Sequence, residues 1–249
     1  MILSVSGIFL KVNNVSFSFN PGIGGIIGLA CAYYLKKENH DVVVIDKGIH
    51  GQACSAGNMG WVCPTLSGPV PAPGLVSTSI KWMLKKDSPL YIKPTVAPSL
   101  AGWLYQFWRH CNERDFISSY AANLEISKNT LTLFDELQAE GEVKFEMHSN
   151  GLLFLFTNES EIEKKYKELK FVTKIGLPEP VRKTREEVLQ FVPNITDAVI
   201  GGLLLPAERH VRPESLSKGF YDWLKSQDVE IKENTEVTDF IIENGRIKA

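Results

Sequence analysis

The chain of 249 residues contains only four cysteines, and they are scattered along it: Cys31, Cys54, Cys63 and Cys111. They form no Cys-x-x-Cys pair, and none stands at a spacing to histidine that is typical of a zinc site. A disulfide-stabilised secreted scaffold would have more cysteines in a shorter chain. We therefore expect reduced, buried thiols in a cytosolic protein, and we predict no metal site.

Long hydrophobic runs and an excess of charge of either sign are also missing. No apolar stretch approaches the ~20 residues that span a bilayer. The short apolar segment Ile2–Leu10 has no basic flank before it and no recognisable cleavage site, so we do not predict a signal peptide. With 44% hydrophobic residues, 22% charged residues and a net charge of −2, the composition is typical of a soluble globular enzyme. It gives no reason to expect a nucleic-acid partner.

Residues 22–46 read in order as a glycine turn, a helix, a short break and an apolar strand that ends on a carboxylate. This is the order of a dinucleotide-binding site. Gly24 and Gly25 allow a tight turn and a close approach of the backbone to a pyrophosphate, and Gly28 lets the helix pack tightly on the sheet. The helix N-terminus then directs free N–H groups at the phosphates. Asp46 lies 18 residues after Gly28, where its carboxylate can accept hydrogen bonds from a ribose.

The start of this motif departs from the usual Gly-x-Gly-x-x-Gly, because Ile23 stands at the position of the first glycine. The parallel strand expected before the turn would be buried and rich in Val and Ile. The chain instead has the alternating segment 15–19, followed by Pro21. We therefore predict a first strand that is short and polar on one face. An ordinary glycine-rich turn before a core helix is the alternative interpretation.

The character of the sequence changes after residue 50. Residues 51–75 are rich in Gly, Pro, Ala and Ser, which predicts an irregular and functional loop rather than helix or strand. Apolar and aromatic residues then recur at helical spacing over 100–111 and over 126–137. Two interpretations of these aromatic helices stay open: packing on their own core, or a surface patch for a lipid or quinone partner.

At residue 151 the hydrophobic period changes from helix to strand. The apolar run 151–157 predicts a strand, and a helix is expected from Asn158 onward. A second apolar run, 199–205, predicts another strand. A helix from Pro213 and a strand over 229–232 then resemble a return to the nucleotide-binding layer.

Six segments carry a resemblance to a known family. They are the loop 54–64 (CSAGNMGWVCP), residues 72–74, 80–90, 151–156, 201–206 and 234–237. Together they resemble the small subunit of D-amino-acid dehydrogenase, within the D-amino-acid oxidase and glycine oxidase superfamily of FAD enzymes. The loop 54–64 and the segment 80–90 are the specific parts, whereas the glycine turn is shared by many flavin and nicotinamide proteins.

The resemblance implies an α/β fold with an FAD-binding, Rossmann-like layer of the glutathione-reductase type and an inserted α+β substrate domain. On this basis residues 15–75 form the first part of the FAD-binding domain. Residues 76–205 form the substrate or cap domain, and residues 206–249 form the second part of the FAD-binding domain.

The resemblance also implies cofactor roles for the first motif. Gly24, Gly25 and Gly28 correspond to the turn that holds the FAD pyrophosphate. Asp46 corresponds to the acid that binds the adenosine ribose, and Lys47 would lie near the same sugar or the adenine. The plain alternatives are a strand or helix cap for Asp46 and a solvated side chain for Lys47.

Further cofactor contacts are implied for the loop and for the end of the chain. Ser55, Asn58 and Gly60 match the S-x-x-N-x-G loop that lies over the pyrophosphate and flavin in the family. Val237 matches a strand-end residue whose backbone meets the adenine. A turn role without cofactor contact is the alternative for Ser55 and Asn58.

In the family that the chain resembles, flavin accepts a hydride from the α-carbon of an amino acid, and the imino acid is hydrolysed to a 2-oxo acid. The resemblance implies a D-amino acid as substrate, a respiratory quinone or another electron acceptor, and a place in the cytoplasm or at the inner face of the membrane. Arg212 is a candidate clamp for the substrate carboxylate, with a solvated turn residue as the alternative. No residue is assigned a catalytic role.

Two departures from the family pattern change the expectation for this chain. Around Arg212 the sequence looks more like glycine oxidase, which leaves the substrate open. Further strands and a C-terminal glycine-rich segment of the family have no counterpart before Ala249. We therefore expect a chain that is incomplete as a catalyst and that associates with itself or with a partner subunit.

Three hypotheses follow. The first is an FAD-dependent amino-acid dehydrogenase or oxidase. The second is a nicotinamide-dependent Rossmann enzyme, which the loop 54–64 disfavours. The third is a non-catalytic remnant or partner-binding subunit of the FAD family.

Overall fold

A computed structural model describes residues 10–12, 15–17, 25–76, 79, 98–170, 173, 177–239, 241–243 and 246–247. Predictions for Ile23, for Gly24 and for the segment 80–90 lie outside the described residues, and so does nearly all of the apolar segment Ile2–Leu10.

Twelve strands, seven helices and one 3₁₀ turn are formed by the described residues. In chain order they are β1 (Leu10–Val12), β2 (Val15–Phe17), α1 (Ile26–Lys37), β3 (Val43–Ile45), β4 (Trp61–Val62), the 3₁₀ turn Pro64–Leu66, α2 (Pro98–Arg109), α3 (Glu113–Ser127), α4 (Thr130–Glu140), β5 (Met147–His148), β6 (Leu152–Phe156), α5 (Glu159–Lys170), β7 (Val181–Thr184), α6 (Arg185–Phe191), β8 (Gly201–Leu205), β9 (Arg209–Val211), α7 (Pro213–Ser226), β10 (Glu230–Lys232), β11 (Ile242–Glu243) and β12 (Arg246–Ile247).

The described residues divide into two compact units. The first unit takes its residues from Met1–Val62, Thr132–Gly151 and Arg209–Ala249, and the second from Cys63–Leu131 and Leu152–Glu208. The domain bounds proposed from the sequence stay a prediction.

The core of the first unit lies between helices α1 and α7 and the parallel strands β3 and β10. Val44 pairs with Ile231 in this ladder, and Val44 is fully buried. On α1, Leu29 and Tyr33 are four residues apart and share one buried face. The Tyr33 ring packs edge-on against Trp223 of α7, with the ring centroids 4.5 Å apart. Because β3 and β10 are parallel, their carboxyl ends lie side by side.

A small antiparallel sheet in the order β4–β9–β5 also belongs to the first unit. His210 of β9 stands opposite Trp61 of β4 and opposite His148 of β5. Alternation along the strands leaves these three side chains exposed, while Val62 and Val211 are buried.

The predicted first strand forms, but with a different partner. Val15–Phe17 makes β2, which is antiparallel to β1 with Val12 opposite Val15. The expectation of a parallel strand in the nucleotide-binding sheet is therefore wrong for these described residues. A parallel strand buried on both faces needs a nearly continuous apolar run, which the alternating segment 15–19 does not provide. Strands β11 and β12 form a second antiparallel hairpin, in which Ile242 is opposite Ile247.

The second unit is built on the antiparallel sheet β6–β8–β7, and the strands predicted over 151–157 and 199–205 are confirmed as β6 and β8. Leu203 and Leu205 of β8 and Val188 of α6 are buried in its core. Gly202 has no room for a side chain, because a Cβ there would lie 2.6 Å from the carbonyl oxygen of Phe154. The helix expected after Asn158 is confirmed as α5, and Ile162 and Leu169 lie on its buried face.

Two further sequence expectations are corrected. The stretch 51–75 is not irregular throughout, because β4 and the 3₁₀ turn lie within it. The pattern over 126–137 does not form one helix, because α3 ends at Ser127 and α4 begins at Thr130. Ile126, placed on the apolar face by its spacing, is 86% exposed.

Candidate functional site

The N-terminus of α1 begins on Gly25, as the glycine motif predicts. Gly25 is the N-cap residue, with extended backbone angles (φ −81°, ψ 175°), and the first turn contains no acidic residue. Gly28 is buried on the helix face that also carries Leu29. The positive end of the helix dipole is therefore not neutralised by a carboxylate of the first turn, which suits an anion.

Ser55 lies beside this helix end. Its hydroxyl oxygen accepts a hydrogen bond of 2.9 Å from the backbone N–H of Ile26, the first residue of α1. Ser55 thus caps the helix from another part of the chain, since Gly25 has no side chain that could do so. The cap is an observed structural role, and contact with a cofactor stays a prediction.

Asp46 directly follows β3 and is buried, with 6% of its surface exposed. Its carboxylate Oδ1 accepts a bond of 2.6 Å from the backbone N–H of Gly48. The Asp46 backbone bonds on both sides to the segment that ends β10, because its N–H donates to the carbonyl of Lys232 and its carbonyl accepts from Thr235. The structure thus places the carboxylate at the carboxyl end of the parallel pair, where it bonds to the backbone two residues further on. Contact with a ribose stays a prediction.

Lys47 and Val237 are both exposed. Val237 is 39% exposed and lies in the irregular segment that follows β10, not at the end of a strand. That segment returns to the turn after β3, since the N–H of Asn234 donates to the carbonyl of Gly48 at 3.1 Å. The cofactor roles of Lys47 and Val237 stay predictions.

The loop 54–60 is held in shape by its own asparagine. The Asn58 amide donates to the carbonyls of Cys54 and Ser55, at 3.1 and 2.7 Å, and its Oδ1 accepts from the N–H of Gly60 at 2.8 Å. Gly60 has φ +69°, and a Cβ there would lie 1.9 Å from the carbonyl oxygen of Val211. Only glycine fits this position. The S-x-x-N-x-G pattern therefore has a local structural reason at both Asn58 and Gly60.

The basic residues near β9 are engaged in ion pairs. Arg209 makes two hydrogen bonds to the Asp135 carboxylate of α4, at 3.0 and 2.9 Å. Arg212, the N-cap residue of α7, is 64% exposed and lies between the carboxylates of Glu146 (3.7 Å) and Glu214 (3.8 Å). Two flanking carboxylates weaken the attraction of Arg212 for a further anion.

A histidine–glutamate contact beside Asp46 was not singled out by the sequence. The His50 ring Nδ1 lies 2.5 Å from Glu233 Oε1, and the His50 backbone N–H donates to the same oxygen at 3.0 Å. These two bonds hold the pKa of the Glu233 carboxyl below its ordinary value. The two residues are 183 positions apart, so no local spacing could have indicated the contact.

The thiols differ from one another in exposure. Cys54, in the loop after His50, is exposed, so the expectation that all four thiols are buried is wrong there. Cys63 is half-buried, and burial, with the Glu208 carboxylate beside it, raises the pKa of its thiol to about 12. Within the described residues no group of three or more His, Cys, Asp and Glu side chains is arranged to hold a metal ion.

A sequence model of one family, described as FAD dependent oxidoreductase (DAO), matches residues 24–249. The chain belongs to this family. The predicted family is thereby confirmed.

Curated relatives of this FAD-dependent family agree. The D-amino acid dehydrogenase of Helicobacter pylori (strain ATCC 700392 / 26695) is 29% identical over 225 residues, which cover 90% of this chain and 53% of that protein. The D-amino acid dehydrogenase of Vibrio atlanticus (strain LGP32) is 28% identical over 185 residues, which cover 73% of this chain and 44% of that protein. The chain spans about half the length of the curated relatives it matches.

Solved structures of the family have the same fold. Glycine oxidase from Bacillus cereus ATCC 14579 superposes with a TM-score of 0.55 at 19% identity, covering 99% of this chain and 49% of that one. L-proline dehydrogenase from P. horikoshii has the same TM-score at 20% identity, covering 99% and 47%. These likenesses confirm the predicted α/β fold with a Rossmann-like layer.

The residues of the first unit fit the ADP half of FAD. The donor set is a helix N-terminus that begins on a glycine and has no acidic residue in its first turn, which suits a pyrophosphate. The acceptor is the Asp46 carboxylate at the end of a parallel strand, which suits a ribose.

Among the helices that the structure describes, none combines the length and the apolarity that a bilayer crossing requires.

Proposed function

We propose that this protein is an FAD-dependent oxidoreductase that oxidatively deaminates an amino acid, with a D-amino acid as substrate, to a 2-oxo acid. The observation that carries the proposal is the joined arrangement of three elements. The N-terminus of α1 begins on Gly25, Ser55 of the loop 54–60 caps it, and Asp46 stands at the end of the adjoining strand β3.

The chemistry that FAD supplies when bound is acceptance of a hydride from the substrate α-carbon. The residues of this chain bind and orient. The first-turn N–H groups of α1 beyond that of Ile26 would donate to the pyrophosphate, Gly25 would let the backbone come close to it, and Gly28 would keep the helix packed on the sheet. Asp46 would accept hydrogen bonds from the adenosine ribose, with Lys47 and Val237 near the adenosine. Ser55, Asn58 and Gly60 would hold the loop that covers the pyrophosphate and flavin.

The choice of substrate is supported by the name of the Helicobacter pylori relative, a D-amino acid dehydrogenase. Arg212 is proposed as a clamp for the substrate carboxylate, in competition with its two carboxylate neighbours Glu146 and Glu214. To bind the substrate carboxylate, Arg212 would have to release these two carboxylates.

The exposed aromatic residues of α2 support two further proposals, a quinone as electron acceptor and a place of the protein at the membrane surface. Trp103, Tyr105 and Trp108 are each more than half exposed. Tryptophan and tyrosine are the side chains that favour the interface between a bilayer and water. The test is co-sedimentation of the purified protein with anionic vesicles, in which replacement of Trp103 and Trp108 by Ser should abolish the bound fraction.

The decisive test of the proposed function is a binding and turnover assay on the purified chain. We expect FAD to bind with one site per chain. Reduction of an artificial dye by D-alanine, D-proline or glycine in its presence would support the reaction assignment and would refute the expectation that this chain is incomplete as a catalyst. Dye reduction with no dependence on added amino acid would overturn the reaction assignment. Failure to bind FAD, NAD or any related nucleotide would instead support the non-catalytic, partner-binding alternative.

A further inference from the structure

His50, Glu233 and Tyr221 form a three-residue contact in the first unit, which we call the His50 clasp. Beside the bonds from the His50 ring and backbone to Glu233, the imidazole lies flat on the Tyr221 ring. The two ring centroids are 3.6 Å apart and the planes are inclined by 12°. The clasp therefore joins the turn after β3, the segment after β10 and helix α7.

The clasp closes the turn that carries Asp46. Backbone bonds already run from Asp46 to Lys232 and Thr235, and from Gly48 to Asn234. His50 and Glu233 add a side-chain bond at the far end of that turn. Residues 46, 48 and 50 are thus each bonded to the segment 232–235, and the Gly48 N–H of the same turn donates to the Asp46 carboxylate.

The partial burial of His50 and Glu233 favours a role in holding the turn 46–50 in one conformation. The side chains of His50 and Glu233 are only 24% and 28% exposed. Partial burial of two ionisable groups carries a desolvation cost that offsets much of their attraction, so such pairs contribute little net stability. Their best-attested use is to specify a single register or conformation.

We propose that His50 and Glu233 are a positioning pair for the adenosine half of FAD. By fixing the turn 46–50 they would hold the Asp46 carboxylate in place for the ribose hydroxyls. The inference rests on the proposed FAD function, and it adds residues that act through Asp46.

The experiment compares His50→Ala, His50→Asn and Glu233→Gln with the unchanged protein. The probes are FAD, ADP and riboflavin, each titrated into the cofactor-free chain by fluorescence, with the thermal midpoint measured on the same samples. His50→Ala should weaken FAD and ADP binding by about tenfold or more. A factor of ten corresponds to about 1.4 kcal/mol. Riboflavin binding should not change. His50→Asn keeps a donor near the Nδ1 position and should recover most of the affinity.

The matched control is His148→Ala. His148 is also a histidine of the first unit that bonds to a glutamate, with its Nε2 3.0 Å from Glu146 Oε1, but it is 53% exposed and lies on β5. Its loss should leave the affinity for FAD and ADP unchanged.

Two outcomes overturn the positioning role while the proposed function stands. One is a His50→Ala variant whose thermal midpoint falls but whose ADP and FAD affinities equal those of the unchanged protein. The other is a His50→Asn variant that binds FAD and ADP no better than His50→Ala, together with a Glu233→Gln variant that binds both as tightly as the unchanged protein. If the unchanged chain binds neither FAD nor ADP, the proposed function itself fails, and the positioning role fails with it.

Discussion

The hydroxyl of Ser55 accepts a hydrogen bond of 2.9 Å from the backbone N–H of Ile26, 29 positions earlier in the chain. The bond joins the loop 54–60 to the first turn of α1. Because Gly25 has no side chain, the cap for this helix must come from elsewhere. Two motifs that the sequence presents separately, the glycine turn and the S-x-x-N-x-G loop, are therefore one structural unit.

Replacing Ser55 by Ala should loosen the start of α1. Loss of an N-cap acceptor typically lowers the free energy of unfolding by about 1 kcal/mol, and the affinity for FAD should fall in parallel because the loop and the helix end separate. Urea denaturation and an FAD titration measure the two effects. Ser226→Ala is the control, since the Ser226 hydroxyl donates to the Trp223 carbonyl in the last turn of α7. Equal changes in both variants would contradict the capping role.

Replacing Gly25 by Val should remove FAD binding while the fold persists. The extended backbone of Gly25 (φ −81°, ψ 175°) accepts a side chain, so the cost should be that of a poor N-cap, about 1 kcal/mol. The branched side chain would stand between the backbone and the pyrophosphate. Gly102→Ala in α2 is the control, because a Cβ there meets open space. Unchanged FAD retention in Gly25→Val would place the cofactor site elsewhere.

Substitutions at Gly60 and Gly141 distinguish the stability cost of backbone strain from the cost of a steric clash. Both have φ +69°, but a Cβ at Gly60 would lie 1.9 Å from the Val211 carbonyl oxygen, whereas a Cβ at Gly141 has nothing within 4 Å. Gly141→Ala should therefore cost only the left-handed penalty of about 1–2 kcal/mol. Gly60→Ala should cost more, because the strands β4 and β9 must move apart. Equal midpoints in thermal denaturation would refute this difference.

Asp46 should exclude nucleotides that carry a 2′-phosphate. Its carboxylate can accept from a ribose 2′-hydroxyl and repels a phosphate at the same place. In calorimetric titrations FAD should bind and NADP should not, and Asp46→Asn should bind FAD more weakly. Tight NADP binding by the unchanged chain is the result that rules this out.

The ion pair between Asp135 and Arg209 should make stability depend on pH. Two hydrogen bonds from Arg209 hold the pKa of the Asp135 carboxyl below its ordinary value of 3.8. Because the native pKa is depressed, the contribution is present above the unfolded-state pKa and is lost as the pH falls through the lower, native value.

Asp135→Asn measures that contribution. The Asp135 side chain is 47% exposed, so solvent screening limits the effect to about 1 kcal/mol or less. Unfolding free energies should differ between the variant and the unchanged chain at pH 7, and the difference should shrink as the pH falls below 3.8. Asp222→Asn, which breaks the exposed pair with Lys218 on α7, is the control. A difference that grows toward pH 3 would contradict the assigned sign.

Local patterns were sufficient for the elements that bury a single face. The apolar run before Asp46 became β3, the run at 151–157 became β6, and the pattern after Pro213 became α7. Periodicity failed at Ile126, because a stripe of apolar residues does not show where one helix ends and the next begins. It also failed for Val15–Phe17, because the alternation predicts a strand but not its partner.

By itself, the sequence determined the family, the helix that begins at Gly25 and the strand that delivers Asp46. The family was identified from the resemblance of six segments. The helix and the strand depend on spacings of a few residues, which the geometry of helix and strand converts directly into faces and ends. The tertiary structure decided that Ser55 caps α1 and that His50 meets Glu233 from 183 positions away. Such contacts depend on where the elements pack and on where loops bring polar groups together once the apolar faces are buried. No local period records that information.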